Sequence, residues 1–218
     1  VRNYFDVHSG DWDGIYSAPA GSLRWRMNRR FRRAVWNRMQ LALQELSQAG
    51  GRSVLDVGCG TGELGIRLAA GGARRVLGLD LAAEMVRTAG AHAAARGVAG
   101  TCEFAHGNFM THDFGGETFD FTVALGVLDY VADAGAFLDR MWALTRERLV
   151  VSLPHSVPPR SWLRRAWHGL HGSHLYYYTR EDTGRLGARL SPVRTDVHTL
   201  PGSDRTYVLV CDARPRVT

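Results

Sequence analysis

The sequence predicts an α/β fold, a parallel sheet whose strands are joined by helices. Three observations carry that prediction. The strand-length run Val54-Leu55-Asp56-Val57 breaks into the glycine turn Gly58-Cys59-Gly60-Thr61-Gly62, and the segment after it, Glu63 to Ala70, has helical spacing. A second strand-length run, Arg75 to Leu79, ends in Asp80, 24 positions after Asp56. Strand-like and helix-like segments then alternate, the pattern of parallel strands joined by crossover helices.

Glycines at 58, 60 and 62 leave the backbone of the turn bare, so a flat or anionic small molecule can lie against the peptide at a helix N-terminus. The dinucleotide pattern G-x-G-x-x-G places a third glycine where this chain has Glu63, and a carboxylate there repels a pyrophosphate. Asp80 ends the second strand and is suited to accept both hydroxyls of a ribose. Ribose without pyrophosphate points to a nucleoside.

The stretch VLDVGCGTGELGIRLA followed by VLGLD resembles motifs I and II of the class I S-adenosylmethionine (SAM) methyltransferases. The resemblance implies a Rossmann-like seven-stranded mostly parallel sheet with helices on both faces, an N-terminal helical cap, and a lid insertion after the fifth strand. It implies SAM as cofactor and S-adenosylhomocysteine (SAH) as product. By the same resemblance Asp56, Gly58, Cys59 and Gly60 form the turn that meets the methionine part of SAM, and Asp80 holds the ribose.

Ahead of that turn, Asn3 to Asp6 and Trp12 to Tyr16 are dense in aromatics and acids. Ser22 to Ser47 reads as a long helix with Ser22 as N-cap and Phe31, Val35, Met39, Leu43 and Leu46 on one apolar face. Gly50 and Gly51 end it. Arginines at 24, 26, 29, 30, 32, 33 and 38 give this helix a basic face. The opening resembles that of the magnesium-protoporphyrin and ubiquinone-pathway O-methyltransferases, whose N-terminal region folds over the SAM site and can supply Arg to the methionine carboxylate. Asn28, Arg32, Arg33 and Arg38 are the candidates by that resemblance, with Arg33 taken as the contact; a bidentate Arg suits a carboxylate.

The alanine-rich segment Leu81 to Arg96 reads as a helix with Met85, Val86 and Ala89 inward. In the family, residues at the Leu81 and Met85 positions face adenine; each is equally suited to the core. Cys102 to Ala105 is a short third strand leading to Asn108-Phe109, where many relatives have an acid followed by an apolar residue. Asn108 departs from that pattern, although its amide oxygen still accepts a bond from an adenine amino group, and the Phe109 N–H meets a ring nitrogen. Thr118 to Leu125 is the fourth strand, apolar enough for a buried parallel sheet. By resemblance Leu125 and Gly126 touch the methionine moiety. Asp129 and Tyr130 read as a base and a substrate contact, or as a capping acid and a packing aromatic.

Ala134 to Thr145 is amphipathic, Thr145-Arg146-Glu147 reads as a turn, and Arg148 to Leu153 as the fifth strand. Composition changes at Pro154. The segment 154–178 directly follows the carboxyl end of a strand, where open α/β sheets bind ligands, and is expected to be the substrate lid, with Trp162, His174 and Tyr178 joining Tyr16 and Tyr130 around the acceptor. A helix from Thr179 to Leu190 and strands at Arg194 to Leu200 and Tyr207 to Cys211 complete the sheet. The chain therefore reads as one domain: cap and helix 1–50, SAM-binding core 51–153, lid 154–178, and closing helix and hairpin 179–218.

His168, His171 and His174 are three apart, but the intervening glycines and the absence of H-E-x-x-H argue against a metal. Cys59, Cys102 and Cys211 are an odd number without C-x-x-C spacing, so neither a disulfide framework nor a zinc site is indicated. Net charge is +6 and every one of the 27 basic residues is Arg, a bias that resembles GC-rich bacterial coding more than a phosphate-binding surface. No lysine is available as base or Schiff-base former. No apolar run approaches the ~20 residues that span a bilayer, and no signal segment opens the chain; a cytoplasmic protein, monomer or homodimer, is expected.

The expected function is methyl transfer from SAM to a small-molecule acceptor, most simply O-methylation. A hydroxyl or amine acceptor requires a base, for which Asp129, His155, Tyr4 and His8 are candidates; a carboxylate requires none. N- or C-methylation, an RNA-directed methyltransferase motivated by the arginine helix, and a non-catalytic partner subunit are the alternatives. The strand-four sequence A-L-G-V-L-D-Y, in place of N-P-P-Y, speaks against nucleobase methylation.

Overall fold

The computed structural model describes residues 23–155, 174–200 and 206–214, with side chains from residue 33 onward, Ala34 excepted. A long helix, α1 (Leu23–Glu45), leads into β1 (Ser53–Val57), whose five residues are all buried because the sheet is covered on both faces. The glycine turn follows, then α2 (Glu63–Ala70), β2 (Arg75–Asp80), α3 (Ala83–Ala95), β3 (Cys102–His106) and β4 (Phe119–Ala124). The rest comprises α4 (Ala134–Ala143), β5 (Thr145–Pro154), α5 (Arg180–Arg189), β6 (Arg194–Leu200) and β7 (Thr206–Asp212). The expected N-cap at Ser22, the aromatic opening and the lid from Ser156 to Ser173 lie outside the described residues.

The sheet has seven strands in the order β3-β2-β1-β4-β5-β7-β6. β1 runs parallel to β2 and β4, and β5 parallel to β4. β7 is antiparallel to both β5 and β6. The order reverses between β1 and β4, so the ends of those two strands open a crevice on one edge of the sheet.

The fifth strand begins three residues earlier than expected. Thr145-Arg146-Glu147 is strand, not turn: Thr145 pairs with Phe119, and a register shift between Phe119 and Phe121 absorbs the extra length. Side chains hold the extension. The Thr122 and Thr145 hydroxyls are 2.6 Å apart, and Arg146 lies 3.1 Å from the Asp120 carboxylate.

Two apolar layers flank the sheet. One packs Met39 and Ala42 of α1, and Leu46 just beyond its end, with Leu64 and Leu68 of α2 over Val54, Val123, Val150 and Val208. The other packs Phe137, Leu138 and Met141 of α4 under Leu55, Leu149, Val151 and Leu209. The C-terminal end of α1 is tied to the sheet by Arg148, which donates to the Glu45 carbonyl (2.5 Å) and to Asp212 Oδ1 (2.5 Å). This guanidinium is 10% exposed, and its acidic partner Asp212 3%, so the pairing is buried rather than solvent-screened.

Candidate functional site

The two sequence-predicted acids are joined by the turn between them. Gly60 adopts φ 53° and sends its N–H to Asp80 Oδ2 at 2.8 Å. A side chain is disfavoured there by conformation rather than crowding, since nothing lies within 4 Å of where a Cβ would stand. Asp80 Oδ1 accepts from Ala82 N–H at 2.9 Å, and burial raises the Asp80 carboxyl above its ordinary range while these backbone N–H groups pull it down. Gly58 and Cys59 donate to the Leu79 carbonyl (2.7 and 3.2 Å), which pins the turn to the end of β2. Gly58 sits at φ 71°, and a Cβ on it would collide with Val127.

Asp56, on β1 itself, is 3% exposed. Its carboxyl is raised to about 7, first by burial and second by the neighbouring Asp80 charge. Glu63, first residue of α2, forms ion pairs with Arg67 (2.7 Å) and Arg96 (2.8 Å). Its charge is thereby balanced where α2 begins.

These groups border a cavity of about 400 Å³. Asp56, Gly58, Cys59 and Gly60 line it from the first strand and its turn, Asp80, Leu81 and Met85 from the second, and Asn108, Phe109, Leu125 and Gly126 from the loops after β3 and β4. Each of those sequence-predicted cofactor positions thus faces one space. Asn108 Oδ1 is already engaged, accepting from Met110 N–H at 3.0 Å, which closes a tight turn after β3. Phe109 is 5% exposed and stacks obliquely on Phe137 with ring centroids 4.8 Å apart. Arg140 steadies it, donating from Nε to the Phe109 carbonyl at 2.8 Å.

The twelfth predicted position, Arg33, is exposed and stands away from the cavity. Arg38 occupies the wall instead. Its Nη2 lies 3.1 Å from the point where a Cβ on Gly126 would sit, and Gly126 has φ 77°. Its Nε is buried without a hydrogen-bond partner among the described residues. Helical phase explains the exchange. Val35, Met39 and Ala42, with Leu46 just beyond the helix end, define the buried stripe of α1; Arg38 flanks that stripe and Arg33 is across the helix from it.

Of the predicted catalytic and substrate residues, Tyr130 lines the cavity and Asp129 does not. Asp129 is 7% exposed, and its carbonyl accepts from Tyr176 N–H at 2.9 Å. His155 and Tyr178 form a parallel bridge beside this segment, with the His155 ring 4.9 Å from that of Tyr207. The Tyr178 phenol, half-buried, donates to the Leu128 carbonyl at 3.4 Å and is pushed up to about 12 by burial and by Asp129. His174 is exposed. Tyr4, His8, Tyr16 and Trp162 lie outside the described residues. Val35, Met39, Thr61, Met110, Val127 and Val131 also form the wall and were not expected there; in the sequence Val35 and Met39 are visible only as core.

Among the described residues no group of three or more His, Cys, Asp or Glu side chains is placed to hold a metal ion. No described helix is long and apolar enough to cross a membrane.

Residues 54–148 match the family model described as a methyltransferase domain. Over 96 residues the chain is 38% identical to a ubiquinone biosynthesis O-methyltransferase of Methylobacterium sp. (strain 4-46), an alignment covering 44% of this chain and 37% of that protein. A protein of the same description from Azorhizobium caulinodans is 40% identical over 90 residues, 41% of this chain and 34% of its own length. The chain thus aligns with little more than a third of the curated relatives it matches. Among solved structures, magnesium protoporphyrin IX methyltransferase from Synechocystis PCC 6803 with bound SAH superposes with a TM-score of 0.75, at 21% identity, over 98% of both chains. Residues 54–148 thus match a methyltransferase domain by sequence, and the chain shares its fold with magnesium protoporphyrin IX methyltransferase.

Proposed function

We propose that the chain transfers a methyl group from SAM to a small-molecule acceptor, and that the accepting atom is oxygen. The observation that carries the reading is one cavity bordered by the glycine turn, Asp80, the loops after β3 and β4, and Arg38. Its residues fit a nucleoside with an amino-acid tail. Asp80 accepts from ribose hydroxyls, Leu81 and Met85 offer apolar faces to adenine, and Asn108 retains a lone pair and two amide donors for the base edge. Arg38, whose Nε has no hydrogen-bond partner among the described residues, is placed to pair with a carboxylate.

Bound there, SAM supplies a methyl group made electrophilic by its sulfonium. The protein's part is alignment and exclusion of water. The wall left over from these contacts is Val35, Met39, Met110, Val127, Tyr130 and Val131, which suits an acceptor with an apolar body. Oxygen as the accepting atom is supported by the ubiquinone-pathway O-methyltransferases among the relatives. For a hydroxyl acceptor we take Asp129 as the base candidate: it stands outside the cavity wall but next in the chain to Tyr130, which lines it.

An RNA acceptor is the second reading, motivated by the arginines of α1 and tested by salt-sensitive RNA retention. Away from that helix, Arg52, Arg74, Arg75, Arg146 and Arg189 are all in ion pairs with acids of the same chain, so those five form no open basic track. Calorimetric titration with SAM and SAH, with NAD as control, tests the cofactor. Micromolar binding of both sulfur nucleosides and none of NAD supports the reading; no binding of either removes it. A screen of small phenols, carboxylic acids and amines with methyl-labelled SAM then identifies the acceptor atom.

A further inference from the structure

Asp56 has no task among the contacts to ribose, adenine or carboxylate. It is 3% exposed, it lines the cavity, and no described residue donates a hydrogen bond to it. A buried carboxyl with no donor is costly to keep. Asp80, its acidic neighbour, differs in receiving backbone N–H bonds from Gly60 and Ala82.

The charges around Asp56 do not relieve it. Cys59 in the turn and Cys102 on β3 both have thiols raised well above the physiological range, so they stay neutral. Glu63 at the start of α2 is balanced by Arg67 and Arg96. His106 on β3 faces Asp80 rather than Asp56. Arg38 reaches the cavity from α1, but against Gly126 at the end of β4. Tyr130 adds a phenol to the wall. The ends of β1 and β2 therefore carry an acidic pair on the cavity wall, with no cation beside Asp56 among the described residues.

We propose that Asp56 makes the cavity discriminate by charge between its cofactor and its product, favouring cationic SAM over neutral SAH. The proposal rests on the SAM reading above. SAM and SAH differ by one methyl group and one positive charge, while the adenosine and amino-acid parts are common to both. In a site of low dielectric a sulfonium stabilises the ionised Asp56–Asp80 pair, and the thioether does not. Each transfer removes the sulfonium charge, so SAH, whose ammonium is balanced by its own carboxylate, meets the acidic pair with one positive charge fewer than SAM, which favours its departure. Discrimination then depends on pH, because a protonated Asp56 no longer distinguishes the two nucleosides.

The test is isothermal titration of the full chain with SAM and with SAH from about pH 6 to about pH 8.5, in two buffers of different ionisation enthalpy. The affinity ratio of SAM to SAH is expected to rise by about fivefold across that range, as it does when the sulfonium makes Asp56 ionise at a pH lower by about one. SAM binding near neutrality is expected to release protons to the buffer, and SAH binding is not. Asp56→Asn, and Asp56→Ser as a second variant, are expected to give a ratio independent of pH. A flat ratio and no proton release in the native protein, or the same rise in both variants, overturns the proposal while leaving SAM as cofactor. Failure of both nucleosides to bind the native protein at any pH overturns the cofactor reading, and this proposal with it.

Discussion

The Gly60 N–H and the Asp80 carboxylate are hydrogen-bonded at 2.8 Å, and through this contact the turn after β1 is shaped by the last residue of β2. Asp80 is thus both part of the wall and a fastener of the turn opposite. Asp80→Ala is expected to weaken SAM binding by about a hundredfold or more and to lower stability by about 1–3 kcal/mol, since Gly60 and Ala82 each lose an acceptor. Calorimetry with a parallel thermal melt separates the two effects. Unaltered affinity would remove Asp80 from the cofactor site.

Arg38 and Arg33 offer a paired comparison on one helix. Arg38→Met is expected to raise the SAM Kd by about ten- to a hundredfold, the value of a charge-assisted bond to a carboxylate of roughly 1.5–3 kcal/mol. Arg33→Met, on the exposed side of α1, is expected to leave it unchanged. Titration of both variants with SAM decides between the two positions.

Asp129→Asn is expected to lower kcat at unchanged SAM affinity for a hydroxyl acceptor. Steady-state kinetics beside a SAM titration checks this. Full turnover returns Asp129 to a packing role beside Tyr176.

Burial of Asp56 makes a prediction for stability that is independent of any ligand. Its carboxyl titrates at about 7 in the fold against an ordinary 3.8. The folded state therefore holds the proton more tightly than the unfolded chain, and that contribution is whole below the ordinary value and lost as pH rises through 7. Asp56→Asn is expected to gain stability relative to the native protein as pH increases from about 4 to about 8, by on the order of a few kcal/mol at the upper end. Thermal melts of both across that range measure it; parallel curves would show that Asp56 ionises without strain.

Arg148→Met leaves Asp212 buried without its guanidinium and removes the hold on the end of α1. A loss of about 3–5 kcal/mol is expected, read as the shift of the unfolding midpoint in urea.

What the sequence disclosed, and what it hid, follows from the range of the interactions. The strand, turn and helix around Gly58 to Gly62 were legible because each feature is local: apolar run, glycines, then helical spacing. Asp80 was legible because its place at a strand end fixes where it points. Arg38 was harder to single out among seven arginines, since its role depends on the rotation of α1 against the sheet. The signal was there in Val35, Met39 and Leu46, whose stripe puts Arg38 on its flank. The early start of β5 was hidden because Thr145 to Glu147 looks polar and turn-like; it is held by partners far off in sequence, Thr122 and Asp120. Asp129 was legible as a candidate by position after a strand, but not the burial that keeps it out of the cavity wall.

The placement of β7 between β5 and β6 has a consequence for how the chain acquires its fold during synthesis. β5 has β4 on one side as soon as it emerges, but its other edge is closed by Thr206–Asp212, more than fifty residues later. Until that strand arrives, the ribosome-bound chain carries an open row of amide and carbonyl groups along Arg148 to Pro154. Such an edge is a template for pairing with a neighbouring nascent chain. Sealing by a distant strand is also slow, because loop closure precedes the contacts that reward it. Of the seven strands, the one made last is thus the one that ends the exposure of the sheet's interior.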